Sequence, residues 1–239
     1  MDAIAPQHGE ALVEIGPGQG ALTGQLLTAA GRLDAVEIDR DLAALLRQRF
    51  AGEAGLRLHE ADALKFDWHA LSRQRGLPLR VVGNLPYNIS TPLLFRLTGA
   101  ADVIQDMHFM LQREVVDRIV AAPGTAAYGR LTVMLAARTT AERVLDVGAG
   151  AFRPVPKVAS SVVRLMIRQT TPEWARSELF GRVVGAAFNQ RRKTLRNSLK
   201  SYLNASQIEA SGVDPGARAQ TLSPAQFGAL AQAAAAVFH

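Results

Sequence analysis

The chain has 239 residues, room for one large domain with a small appendage, and 48% apolar content supports a real core. It has no cysteine, which excludes disulfides and cysteine-ligated metals, and its histidines at 8, 59, 69, 108 and 239 show no H-E-x-x-H or similar ligand spacing. Net charge is +6 and uneven: residues 172–239 carry 8 basic and 4 acidic side chains against 19 and 17 in residues 1–171, so the chain is either a plainly basic protein or one that meets a polyanion such as nucleic acid.

Ala11 to Ile15 reads as a buried strand, Gly16 to Gly20 as a turn and Ala21 to Ala30 as a helix. Gly31 ends that helix and Leu33 to Ile38 is a second strand. This is a β-α-β unit with a glycine-rich first turn. Glycines let the backbone approach a ligand, and a helix N-terminus offers free N–H groups to an anion. The loop alone is ambiguous, because Gly16, Gly18 and Ala21 also satisfy the dinucleotide pattern G-x-G-x-x-G/A. Glu37 suits a ribose diol, in NAD or in S-adenosylmethionine, or is a surface acid at a strand end. Glu14 is either structural or placed near a methionine moiety, where it would help order the loop.

Asp41 to Phe50 reads as a short helix and Leu56 to His59 as a third strand. Asp62 follows in Glu60-Ala61-Asp62-Ala63-Leu64. It would accept from an adenine amine or cap a helix. A fourth strand, Leu79 to Val82, breaks at Gly83 and leads into Asn84-Leu85-Pro86-Tyr87, with a helix announced by Ser90-Thr91-Pro92. Asn84 and Tyr87 then sit in a loop at the carboxyl end of a strand, where open α/β sheets bind ligands. Pro86 pushes Leu85 out of the helical region and frees its carbonyl. That carbonyl and the Asn84 amide oxygen are two acceptors for the two hydrogens of an aromatic amine. Tyr87 adds a face for base stacking, worth ~1–3 kcal/mol. The plainer alternative is a proline turn with a structural Asn and a core Tyr.

Thr170-Thr171-Pro172 marks a boundary, after which helices are expected over Trp174 to about Leu203 with an interruption, Ala205 to Gly212 and Pro224 to Phe238. Asn189 to Lys200 holds Arg191, Arg192, Lys193, Arg196 and Lys200 with no acid. Arg192, Arg196 and Lys200 repeat every fourth residue and are expected on one helix face, either solvated or RNA-contacting.

The series EIGPGQGALT, VEID, EADAL and NLPYNISTPLLF resembles the class I S-adenosylmethionine-dependent methyltransferases that act on adenine amines. More closely it resembles the small-subunit (16S) ribosomal RNA adenine dimethyltransferases, the KsgA family. MLQREVVDRI, YGRLTV, FRPVPKVASSVV and FNQRRKTLRNSL extend the likeness over nearly the whole chain. EIGPGQG is common to many methyltransferases and NLPYNIS is shared with macrolide-resistance large-subunit enzymes; NLPYNISTPL with FNQRRKTLRNSL is far more specific.

The resemblance implies an α/β, Rossmann-like class I methyltransferase fold over residues 1–170 and a small all-helical C-terminal domain, contacting RNA, over 171–239. It implies a cofactor pocket for S-adenosylmethionine from Glu14, Gly16, Gly18, Glu37, Asp62 and Asn84, with no metal. The target adenine would lie between Asn84, Leu85 and Tyr87 on one side and Phe152 on the other. Arg191, Arg192, Lys193, Arg196 and Lys200 would meet the ribosomal RNA backbone. The implied activity is N6,N6-dimethylation of two adjacent adenines near the 3′ end of 16S rRNA, within a small ribosomal subunit precursor. A nicotinamide oxidoreductase, a non-catalytic RNA-binding assembly factor and a large-subunit (23S) rRNA adenine methyltransferase are the alternatives.

No signal peptide or long apolar span is present, so a soluble, cytoplasmic monomer without a membrane partner is expected. Members of this family usually carry an F-x-Q-x-F-L-type run before the first strand, whereas this chain opens Met1-Asp2-Ala3-Ile4-Ala5-Pro6. The expectation from that comparison is a shortened form with a poorly closed pocket and weak cofactor binding.

Overall fold

The computed structural model describes residues 1–86, 88–148, 150 and 158–238. The chain divides into two compact units. One comprises Met1–Val116 and Ala141–Ile167; the other comprises Asp117–Thr140 and the chain from Arg168 onward.

The first unit is built on a sheet with strand order β3-β2-β1-β4-β5-β7-β6. Its strands are β1 (Ala11–Ile15), β2 (Leu33–Glu37), β3 (Leu56–Glu60), β4 (Leu79–Asn84), β5 (Ile104–Gln112), β6 (Thr139–Val147) and β7 (Ser160–Ile167). β1 to β5 pair in parallel, and β7 runs antiparallel to β5. Every residue of β1 and β2 is buried, as expected of strands covered on both faces. Four helices alternate with these strands: α1 (Thr23–Ala30), α2 (Arg40–Arg49), α3 (Trp68–Arg75) and α4 (Ser90–Gly99). Leu12, Val82, Leu26, Leu27, Ala30 and Leu33 pack with Ile4 in one apolar cluster.

Chain order fixes where a ligand site belongs. From β1 the chain moves outward through β2 and β3, then returns to the other side of β1 for β4. The connections leave β1 and β4 in opposite directions, and a crevice opens between their carboxyl ends. β4 runs through Gly83 to Asn84 rather than breaking at Gly83. Glycine is needed at 83 because a Cβ there would lie 2.5 Å from the Ile15 carbonyl oxygen. That close approach keeps β1 and β4 paired to the rim.

The remaining helices are α5 (Arg113–Ile119), α6 (Arg130–Ala136), α7 (Glu178–Asn189), α8 (Leu195–Ser198), α9 (Ala205–Ala210) and α10 (Pro224–Phe238). The helical unit has its own core, including Tyr128, Val133, Phe180, Val183, Leu195, Leu199, Ile208, Phe227 and Leu230. Tyr128 donates its hydroxyl proton to the Leu222 carbonyl at 2.7 Å, so its polar end is satisfied inside that core. Residues 117–140 group with these helices, which differs from a single cut after residue 170. The reason is packing: Tyr128, Val133 and Ala137 bury their side chains among residues of α7 and α10.

A second expectation is corrected here. Arg192, Arg196 and Lys200 do not share one helix face, because α7 ends at Asn189 and α8 is a single turn, Leu195–Ser198. Between them Lys193 N–H closes a turn on the Gln190 carbonyl, and Thr194 makes an isolated bridge to Arg218.

Candidate active site

The glycine loop follows β1 directly. Gly16, Gly18 and Gly20 have φ of +64°, +57° and +82°, a region that disfavours side chains. Nothing lies within 4 Å of where a Cβ would stand on Gly16 or Gly18, so the loop keeps open space above it. Gly20 differs, since a Cβ there would come within 2.8 Å of the Phe50 ring. α1 therefore starts at Thr23, two residues later than the sequence suggests, after a loop held by glycines.

Glu37 ends β2 and is buried. Gly18 N–H donates to its Oε2 at 3.2 Å and Asp39 N–H to its Oε1 at 3.0 Å. One carboxylate thus ties the glycine loop to the turn that starts α2. Asp39 in turn accepts from Asp41 N–H and Leu42 N–H, capping that helix. Asp62 accepts from Leu64 N–H at 2.9 Å within a turn and caps no helix, since the next one, α3, is capped by Asp67.

Glu14, one residue before the end of β1, is 3% exposed and accepts from the Thr23 hydroxyl at 2.6 Å. Burial drives its carboxyl from 4.5 up to about 7; the Thr23 hydroxyl opposes this and the Glu37 charge reinforces it.

These elements frame a cavity of about 570 Å³ at the carboxyl edge of the sheet. Its walls bring together Glu14, Gly16, Gly18 and Asn84, four of the residues expected to hold a cofactor. Glu37 and Asp62 are not in those walls; Glu37 bears on the cavity through Gly18. Register explains the grouping. Glu14 pairs with Val82 and Val82 with His108, while Asn84 pairs with Met110 and Met110 with Val162. Because side chains alternate with period two, all of these project from one face of the sheet. His108, Met110 and Val162 accordingly line the cavity with Leu145 and the N-terminal residues Met1, Ala3 and Ile4. None of these seven was singled out for the site from sequence. The apolar run of β5 gives no signal at the level of single residues, and His108 has no sequence neighbour that marks it.

Of the residues expected to hold the adenine, Asn84 is exposed at the end of β4 and Leu85 is buried, its N–H donating to the Met110 carbonyl at 3.2 Å. Tyr87 and Phe152 lie outside the described residues. Among the described residues no cluster of three His, Cys, Asp or Glu side chains is placed to hold a metal ion.

In the helical unit, Arg192, Lys193, Arg196 and Lys200 are exposed, and among the described residues no acid pairs with them. Arg191 is committed elsewhere: its guanidinium donates to the carbonyls of Ala126 at 2.6 Å and Tyr128 at 3.0 Å. It ties the end of α7 to the segment before α6.

Residues 1–236 match the family described as Ribosomal RNA adenine dimethylase. The chain is 53% identical over 225 residues to the Ribosomal RNA small subunit methyltransferase A of Methylococcus capsulatus, covering 94% of this chain and 87% of that protein. It is 54% identical over 231 residues to the protein of the same name from Aromatoleum aromaticum, covering 96% and 85%. Among solved structures, a dimethyladenosine transferase from Plasmodium falciparum shares the fold, with a TM-score of 0.80 at 24% identity over 96% of this chain and 91% of that one. The 23S rRNA methyltransferase ErmE matches with a TM-score of 0.71 at 27% identity, over 97% and 93%. The fold is that of the class I S-adenosylmethionine-dependent methyltransferases, and the chain belongs to the ribosomal RNA adenine dimethylase family.

Proposed function

We propose that this chain is an S-adenosylmethionine-dependent methyltransferase that dimethylates N6 of two adjacent adenines near the 3′ end of 16S rRNA in a small-subunit precursor. The observation that carries the reading is the cavity in the β1/β4 crevice, whose walls join the glycine loop to Asn84.

The residues present fit the cofactor. Gly16 and Gly18 leave room for it, Glu14 supplies a carboxyl suited to a methionine ammonium group, and Glu37 sits behind the loop for the ribose. When bound, S-adenosylmethionine supplies an electrophilic methyl group on a sulfonium sulfur. The chain's own task is orientation. The exocyclic nitrogen of adenine is a poor nucleophile because its lone pair is delocalised into the ring. Acceptors at the Asn84 side chain and the Leu85 carbonyl would hold its hydrogens, favour a pyramidal nitrogen and direct the lone pair. Once the methylated, cationic nitrogen had lost a proton to water, a single hydrogen would remain on it, and one of the two acceptors would suffice for the second transfer. The stacking roles of Tyr87 and Phe152 rest on the sequence. The target bases must leave their stack to enter.

The reading extends to a catalytic domain over 1–116 and 141–167 and an RNA-contacting helical domain built from 117–140 and the chain from Arg168 onward. Arg192, Lys193, Arg196 and Lys200 would meet phosphates. It includes a cytoplasmic monomer with no membrane partner; among the described residues no helix is long and apolar enough to cross a membrane.

The test is methylation of unmodified small and large ribosomal subunits with labelled cofactor, the modified nucleoside being identified by mass. N6,N6-dimethyladenosine in the small subunit supports the reading. Label in the large subunit alone, or none in either, overturns it.

A further inference from the structure

The N-terminal residues that wall the cavity form a turn braced by the Arg80 side chain. Ile4 N–H and Ala5 N–H both donate to the Met1 carbonyl, at 3.0 and 2.9 Å, closing a single helical turn. Ala5 ends it with φ +42°, a left-handed conformation that a non-glycine residue adopts only when the surroundings impose it. A helical turn leaves its last carbonyls without partners in the chain.

For the Ile4 carbonyl, Arg80 supplies one. It stands in β4, four residues before Asn84, with its side chain 7% exposed. Its Nη2 donates to the Ile4 carbonyl at 2.7 Å; its Nη1 lies 3.5 Å from the Ala5 carbonyl, whose nearer donor is Gln7 Nε2 at 3.1 Å. Nη1 also donates to Glu10 Oε2 at 2.6 Å, and Nε donates to both oxygens of Asp106 on the neighbouring strand at 3.0–3.1 Å. Asp106, itself buried, lies 3.6 Å from Nδ1 of His108, which lines the same cavity. One planar guanidinium thus links the wall residue Ile4, the adjoining carboxylate of Glu10 and the strand that carries the floor.

We infer that Arg80 is a positioning residue of the cofactor cavity, acting through the Ile4 carbonyl on the wall formed by Met1, Ala3 and Ile4. It touches neither cofactor nor substrate. Its fork of donors satisfies an array of acceptors that a lysine ammonium cannot match in plane. The inference rests on the reading of the cavity as the S-adenosylmethionine site.

Three variants test it: Arg80→Met, Arg80→Lys and the milder Glu10→Gln. Hydrogen exchange of residues 1–10 in the ligand-free protein reports on the wall without any activity. Calorimetric affinity for S-adenosylhomocysteine, measured well below each variant's melting temperature, reports on the cavity. The expected result is selective loss of protection at residues 1–10 and affinity weakened about tenfold or more in Arg80→Met, the scale of a missing charged hydrogen bond. Arg80→Lys and Glu10→Gln should fall between it and wild type, and turnover at saturating cofactor should stay within about twofold, as when only uniform binding is removed. A lowered melting temperature with wild-type exchange at residues 1–10 and wild-type affinity would make Arg80 an ordinary buried ion pair. If Arg80→Met does not fold, the same two readings on Glu10→Gln decide. Failure of the wild-type protein to bind S-adenosylhomocysteine would overturn the cofactor reading itself, and this inference with it.

Discussion

The Thr23 hydroxyl donates to Glu14 at 2.6 Å, linking the first residue of α1 to the strand that precedes the glycine loop. Both side chains are buried, so the bond fixes the two ends of the loop across the cavity wall.

Glu14 should make stability and binding depend on pH near neutrality. Burial raises its folded pKa to about 7, against 4.5 in the unfolded chain. Between those values the folded state holds a proton that the unfolded state has released. Its contribution to stability is therefore full below about 4.5 and is lost as pH rises through 7, by roughly 3 kcal/mol in all. Glu14→Gln should flatten the fall in urea-unfolding free energy between pH 5 and 8. An unchanged slope would place the titration elsewhere. A cationic ligand beside Glu14 should also expel its proton, seen as proton release when binding is measured near pH 7 in buffers of different ionisation enthalpy.

Glu37→Ala should weaken S-adenosylmethionine binding by about 1.5–3 kcal/mol, the scale of a charged hydrogen bond. Two effects would contribute, loss of the proposed ribose contact and loss of the acceptor for Gly18 N–H. Glu37→Gln keeps an acceptor for the loop and should lose less. Equal calorimetric affinities in all three proteins would remove Glu37 from the site.

Asn84→Ala should lower turnover at least ~10²-fold with the fold intact, as for loss of a group that acts in the transition state. Gly83→Ala should do comparable damage indirectly, because its methyl group would meet the Ile15 carbonyl oxygen at 2.5 Å and push the end of β4 away from β1. Melting temperature separates them: lowered for Gly83→Ala, unchanged for Asn84→Ala. Near wild-type rates in Asn84→Ala would make Asn84 a turn residue.

How much of this was legible in the sequence follows from how local each signal is. The glycine loop and Asn84, which line the cavity, stand out because turn chemistry is written in adjacent residues; Glu37 and Asp62, singled out with them, do not line it. The cavity's other half is not local. His108, Met110 and Val162 reach it through strand register, and Ile4 through Arg80, 76 residues away. The helical unit shows the opposite failure. Spacing by four put Arg192, Arg196 and Lys200 on one face, but burial of Leu195 and Leu199 is met by a single helical turn followed by a bend. Charge survives that correction because it depends on exposure rather than on helix phase.

The basic segment yields the last prediction. Replacing Arg192, Arg196 and Lys200 with Ala should weaken binding to the small subunit and reduce the slope of log affinity against log salt by roughly 2–3, about one for each phosphate no longer neutralised. Affinity for S-adenosylmethionine should not change, since none of the three lines the cavity. Arg191 should behave differently despite adjoining them. Its donors hold the Ala126 and Tyr128 carbonyls, so Arg191→Ala should lower stability by about 1 kcal/mol, the net worth of such bonds. Its effect on the salt slope should be smaller than that of Arg192→Ala. Filter binding over a range of salt, with urea unfolding of each variant, distinguishes the two kinds of arginine. A triple variant with the wild-type slope would leave Arg192, Arg196 and Lys200 as a solvated surface, and the RNA-binding face would have to be sought elsewhere on the molecule.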